Sequence, residues 1–145
     1  AGPFYKHGLF HSANNKKISI KNVIGAEILA LADNNTLNAV IRNLISNAIK
    51  YTKENGIIEI SAEIKDGHAE VKVSDNGIGM NEYTLKNLFN RSEAVSRPGT
   101  ANESGTGLGL ILRKEFIEQN GGTLRAESKE GAGSVFIFTL PYLRN

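Results

Sequence analysis

Apolar residues recur along this chain with two different periods, and the changes between them mark out the elements. Leu37, Val40, Ile41, Leu44, Ile45 and Ala48 lie three and four positions apart. That is the spacing of one helical face and predicts a long amphipathic helix. Asp33 stands just ahead of it as the N-cap, a carboxylate able to accept from a free N–H of the first turn. The period then falls to two: Ile58, Ile60, Ala62 and Ile64 alternate with polar residues, and Ala69, Val71, Val73 and Asp75 continue one face of a returning strand. Asp66-Gly67 between them is the pair that a tight type I′ hairpin favours. Residues 18–20 and 27–31 predict two short strands around Gly25, and residues 82–89 a short helix. Residues 90–106, with Pro98 and almost no apolar groups, predict a mobile loop. A helix follows over 108–119, stopped by Asn120-Gly121-Gly122. A last hairpin spans 123–127 and 135–140, and Pro141 ends it. Strands beside helices, with hairpins between strands, predict an α+β fold. It is a two-layer α/β sandwich whose mixed, mainly antiparallel sheet carries its helices on one face.

Composition adds bounds rather than direction. A chain of 145 residues makes one domain, long enough to bury about two thirds of its unfolded surface. A net charge of +2, with no Lys/Arg run, argues against a nucleic-acid partner. With no cysteine there is neither a disulfide framework nor a thiolate metal site. No run of about 18 apolar residues predicts a membrane-spanning helix, and the first residues lack a signal-peptide core.

Three polar clusters carry candidate chemistry. Asn43, Asn47 and Lys50 are four and three residues apart and share a helical face, with Tyr51 beside them. An amide oxygen suits a hard cation such as magnesium, and an ammonium suits a phosphate oxygen. Alone, this face reads as a solvated surface opposite the core face. Asp75 opens the second cluster, Asp75-Asn76-Gly77-Ile78-Gly79-Met80. The alternation places its carboxylate inward, where a buried charge needs partners; alone, the cluster reads as a turn after a strand. The third, Gly105-Thr106-Gly107-Leu108-Gly109-Leu110, opens a helix whose unpaired N–H groups suit an anion. Leu110 stands where a dinucleotide fingerprint needs its third glycine, and neither a G-x-x-x-x-G-K-[ST] phosphate loop nor the eukaryotic-type kinase signatures occur.

In this order, the three clusters resemble the nucleotide pocket of sensor histidine kinases, the catalytic and ATP-binding domain of the GHKL (Bergerat) superfamily. The resemblance covers residues 17–140. It implies the Bergerat sandwich, with ATP and Mg2+ as cofactors. By position, Asn47 would ligate Mg2+ between the ATP phosphates, Asn43 would assist, Lys50 would touch phosphate and Tyr51 would contact the nucleotide. Asp75 would read the adenine amino group, with the backbone at Gly77 and Gly79 close to the base and Ile78 and Met80 packing on the purine. Gly105, Thr106, Gly107, Leu108 and Gly109 would cradle the phosphates. Residues 90–104 would form the ATP lid, anchored by Leu88-Phe89, with Arg91 and Arg97 reaching the phosphates on closure; Thr139 would help to bind adenine.

Asn43 takes the place held by a general-base glutamate in hydrolytic relatives such as DNA gyrase. An amide accepts no proton at neutral pH, so the resemblance implies a kinase rather than an ATPase. None of His7, His11 and His68 fits the phosphoacceptor motif, in which Glu or Asp follows the histidine directly. Residues 1–16 are then expected to be a linker or the tail of a dimerisation segment, and residues 17–145 the ATP-binding domain. The acceptor histidine would lie on a separate dimerisation domain and pass its phosphoryl group to a response regulator. The parent is expected to be a bacterial, membrane-anchored sensor with this part in the cytoplasm. Two other readings remain: a GHKL serine kinase of the anti-sigma-factor type, and a nucleotide-binding module that signals without transfer.

Overall fold

The computed structural model of the chain describes residues 16–24, 35–90 and 109–141. In chain order, the elements are strand β1 (Ser19–Ile24), helix α1 (Asn35–Tyr51), strands β2 (Ile57–Lys65) and β3 (His68–Asp75), helices α2 (Glu82–Lys86) and α3 (Gly109–Gln119), and strands β4 (Thr123–Lys129) and β5 (Gly133–Pro141). The strands form one sheet in the order β1-β2-β3-β5-β4. Strand β1 runs parallel to β2, joined to it through α1, and every other pair is antiparallel. This is the predicted mixed sheet. The expected strand at 27–31 and the Asp33 cap lie outside the described residues.

Register explains the layers. Ile60, Val73, Phe136 and Ala126 stand abreast across β2, β3, β5 and β4, and Ala62, Val71, Phe138 and Leu124 form the next row. Directly paired residues share a face, so these rows make one apolar surface. Val40, Ile41, Leu44, Ile45 and Ala48 of α1 and Ile117 of α3 close over it, in a single core with Phe138 among its fully buried side chains. Asp66 and Gly67 both take positive φ (52° and 75°), which gives the β2–β3 hairpin its I′ turn.

Helix ends follow local chemistry. Helix α2 stops at Lys86, short of the expected residue 89. The Asn87 side chain bonds back to the Tyr83 carbonyl (3.0 Å) and its backbone has left helical values. Asn81 caps its start by accepting from the Thr84 N–H at 2.8 Å. Helix α3 ends as expected: Gly122 N–H reaches the Ile117 carbonyl and Gly121 N–H that of Glu118, a Schellman stop with Gly121 at φ 85°.

At the far end of α1, Lys16 Nζ donates to the carbonyls of Ile49 (2.9 Å), Lys50 (3.1 Å) and Thr52 (3.3 Å). An ammonium there satisfies carbonyls that the helix leaves unpaired and meets the negative end of its dipole. The Asn55 N–H in turn donates to the Lys16 carbonyl. Lys16 is thus bonded both to the end of α1 and to the turn before β2.

Candidate nucleotide site

The apolar rows of the sheet stop at one end. In the last full row, Ile58 of β2 is followed by Asp75 of β3, Ser134 of β5 and Ser128 of β4. This polar row lies on the face that the helices cover. Asp75 and Ser134 are each 8% exposed, too little for water alone to solvate a carboxylate and a hydroxyl.

The α1 candidates lie on the helix that packs over this face. Val40, Ile41, Leu44, Ile45, Ala48 and Ile49 face the core, whereas Asn43, Asn47, Lys50 and Tyr51 are half-buried along its border. Lys50 Nζ lies 5.1 Å from the centre of the Tyr51 ring, within cation–π range. Thr52, fully buried, turns the chain off the helix by donating from Oγ1 to the Ala48 carbonyl (2.6 Å).

Direct bonds join this helix end to the residues after β3. Ile78 N–H donates to the Tyr51 carbonyl at 3.1 Å, and the Ile78 carbonyl accepts from Gly131 N–H at 2.8 Å. Residues 76–80 are therefore wedged between α1 and the β4–β5 turn. Asp75 Oδ1 accepts from Gly77 N–H (2.8 Å), and Asn76 Oδ1 accepts from Ile57 N–H (2.8 Å), which fixes the loop to β2.

The glycines here make room for protein backbone. A Cβ on Gly77 would sit 2.2 Å from the Tyr51 carbonyl oxygen, and one on Gly79 2.1 Å from that of Lys129. Gly79 also takes φ 67°, a left-handed value. The approach seen is to Tyr51 and Lys129, at the same two positions where the resemblance implies an approach to the base. Met80, 3% exposed, joins the core, and its N–H donates to Ser128 Oγ (2.8 Å).

One expected contact is misplaced. Thr139 of β5 pairs with Glu70, on the opposite face from Asp75, and its Oγ1 lies 2.8 Å from that of Thr123. At about 3.4 Å per residue it is roughly 17 Å along the strand from Ser134. The β5 residue that faces the helices beside Asp75 is Ser134. The alternation that places Phe138 and Phe136 inward places residue 134 inward and residue 139 outward, so the signal was present in the sequence.

Arg91, Arg97, Gly105, Thr106, Gly107 and Leu108, with the lid expected over 90–104, lie outside the described residues, apart from Asn90. Gly109 opens α3. Leu88 and Phe89 pack against the core, and Lys114 Nζ of α3 lies 5.7 Å from the Phe89 ring centre. Among the described residues no group of three or more His, Cys, Asp or Glu side chains could hold a metal ion. A cation at Asn47 would therefore need oxygens from a bound nucleotide and water to complete its shell.

The chain is similar to known proteins in sequence and fold. Residues 32–144 match the family model described as "Histidine kinase-, DNA gyrase B-, and HSP90-like ATPase". The sensor histidine kinase WalK of Bacillus subtilis is 34% identical over 125 residues, covering 85% of this chain and 20% of WalK. The sensor-like histidine kinase SenX3 of Mycolicibacterium smegmatis is 33% identical over 130 residues, covering 90% of this chain and 34% of that protein. The chain thus spans a fifth to a third of these relatives. Among solved structures, the catalytic domain of histidine kinase ThkA superposes with a TM-score of 0.73 at 29% identity, over 92% of this chain and 86% of that one. A helix with a polar border, a buried acid at a strand end and glycines wedged beside it are thus joined to a sequence match over most of the chain, and the protein belongs to the histidine kinase-, DNA gyrase B- and HSP90-like ATPase family.

Proposed function

We propose that this chain is the ATP-binding phosphodonor domain of a two-component sensor histidine kinase. The observation that carries the reading is the polar row Asp75–Ser134–Ser128, which ends an otherwise apolar sheet face, with the loop after it bonded to the end of α1, the helix that carries Asn43, Asn47 and Lys50. Asp75 accepts from the exocyclic amino group of adenine, and Ser134 lies next to it. Lys50 would meet phosphate oxygen, and Asn47 would hold Mg2+, which would neutralise phosphate charge. Asn43 supplies no base for water, so the γ-phosphoryl group is kept for an imidazole nitrogen of a histidine on a separate dimerisation domain. There the bond from phosphorus to the ADP oxygen breaks with its electron pair leaving on ADP, a P–N bond forms, and the proton on the other imidazole nitrogen passes to a carboxylate beside that histidine or to water. The chain's own contribution is positioning and charge stabilisation. Arg91, Arg97 and the glycines at 105–109 belong to the same reading as phosphate contacts. A response regulator is the downstream acceptor.

Among the described residues, no helix is long and apolar enough to cross a membrane. We place this domain on the cytoplasmic side of a membrane-anchored parent, where ATP is available. The test is calorimetric titration with ATP, with and without Mg2+, while hydrolysis is followed. A separately purified dimerisation domain and labelled ATP are then added. Magnesium-dependent binding, slow hydrolysis and acid-labile label on the added domain are expected. Acid-stable label would indicate a serine kinase, and binding without transfer a signalling module.

A further inference from the structure

Ser128 is absent from the contacts that the nucleotide reading requires, yet its hydroxyl meets three groups at once. Met80 N–H donates to it (2.8 Å), it lies 3.0 Å from the Gly133 carbonyl, and it lies 2.8 Å from Ser134 Oγ. A serine has one hydrogen to give. Given to Ser134, that hydrogen would leave two oxygens facing each other at the Gly133 carbonyl with no proton between them. Given to the Gly133 carbonyl, it lets Ser128 accept from both Met80 and Ser134, and all three contacts are satisfied. The Ser134 hydrogen is then drawn toward β4, and its oxygen lone pairs remain for the side where β3 carries Asp75. A carboxylate and a hydroxyl oxygen standing abreast as acceptors suit a ligand edge that donates, such as a 6-amino purine or a water bridging to it. They disfavour a 6-oxo purine, whose carbonyl would meet only lone pairs.

We propose that Ser128 is a positioning residue for base selectivity: it takes the Ser134 hydrogen and so holds the wall beside Asp75 in its acceptor state, favouring 6-amino over 6-oxo purine nucleotides. This rests on the ATP-site reading above. The same hydroxyl pins the Met80 amide, so the wall and the loop beneath the base are set by one side chain.

The experiment measures dissociation constants for ATP and for inosine triphosphate, which differ at the 6-position, on the full chain. Ser128→Ala frees the Ser134 hydrogen to turn toward the base. ATP is expected to weaken roughly 3- to 10-fold, the scale of one hydrogen bond, while inosine triphosphate is unchanged or tighter. Ser128→Thr, which keeps the hydroxyl, restores the wild-type ratio. Ser128→Cys, a weaker acceptor of similar size, gives an intermediate ratio and a reading if the alanine variant does not fold. In a Ser134→Ala background, Ser128→Ala leaves the ratio unchanged, because its route is gone. An equal loss for both nucleotides, or the same change of ratio with and without Ser134, overturns the proposal and reduces Ser128 to a loop anchor. A wild-type chain that binds neither nucleotide overturns the ATP-site reading itself, and the selectivity role with it.

Discussion

Asp75 is the residue on which most of the chemistry turns. It is buried at a strand end, and the bond from Gly77 N–H holds one carboxylate oxygen in place, as the proposed contact with adenine requires. Asp75→Asn keeps the shape and an oxygen for Gly77 but removes the charge. ATP affinity is expected to fall about 10- to 100-fold, the value of a charge-assisted hydrogen bond. Calorimetry measures the loss, and an unchanged melting temperature would show that the fold is intact. Asn43 lies on the half-buried border of α1. Asn43→Glu is expected to retain nucleotide binding while ADP production rises by about tenfold or more, as a base becomes available to water. A coupled ADP assay reads this, and complete loss of binding would argue against the placement of Asn43.

At the scale of elements, the site depends on how closely three backbones approach: the end of α1, the loop after β3 and the β4–β5 turn. Gly79→Ala would press a methyl group toward the Lys129 carbonyl at a left-handed φ. Gly67→Ala at φ 75° meets nothing within 4 Å, and isolates the backbone cost of about 1–2 kcal/mol. Urea unfolding of the pair is expected to show Gly79→Ala as the more destabilised, with the excess reporting the clash. Most elements could be read from the chain because each has its own period or punctuation, from the α1 stripe to Asp66-Gly67. The parallel pairing of β1 with β2 could not, because a six-residue strand followed by a helix does not say which neighbour it will join. The site was half legible. Asp75 and the α1 border are local signals, whereas the row through Ser134 and Ser128 depends on register across three strands. The resemblance implies Thr139, whereas the alternation turns residue 139 to the opposite face from Phe138.

For the molecule as a whole, the same sheet rows that exclude water from the core deliver their polar ends to one place. Phe138, fully buried in the middle of a row, is packed by both helices' layer and both neighbouring strands. Phe138→Ala is expected to cost about 3–5 kcal/mol in chemical denaturation. Lys16→Ala should cost about 1 kcal/mol, the scale of a cation at a helix C-terminus, and less at high salt. The Lys16 bond also gives the domain a polarity. Strand β1 begins opposite Ile57, at the end of the sheet that carries Asp75, while β5 runs out beside His68, at the other. From Ser134 to Pro141 is roughly 24 Å at about 3.4 Å per residue. The described chain therefore enters the sheet at the end that carries Asp75, where Lys16 is held, and leaves it at the opposite end, beside His68.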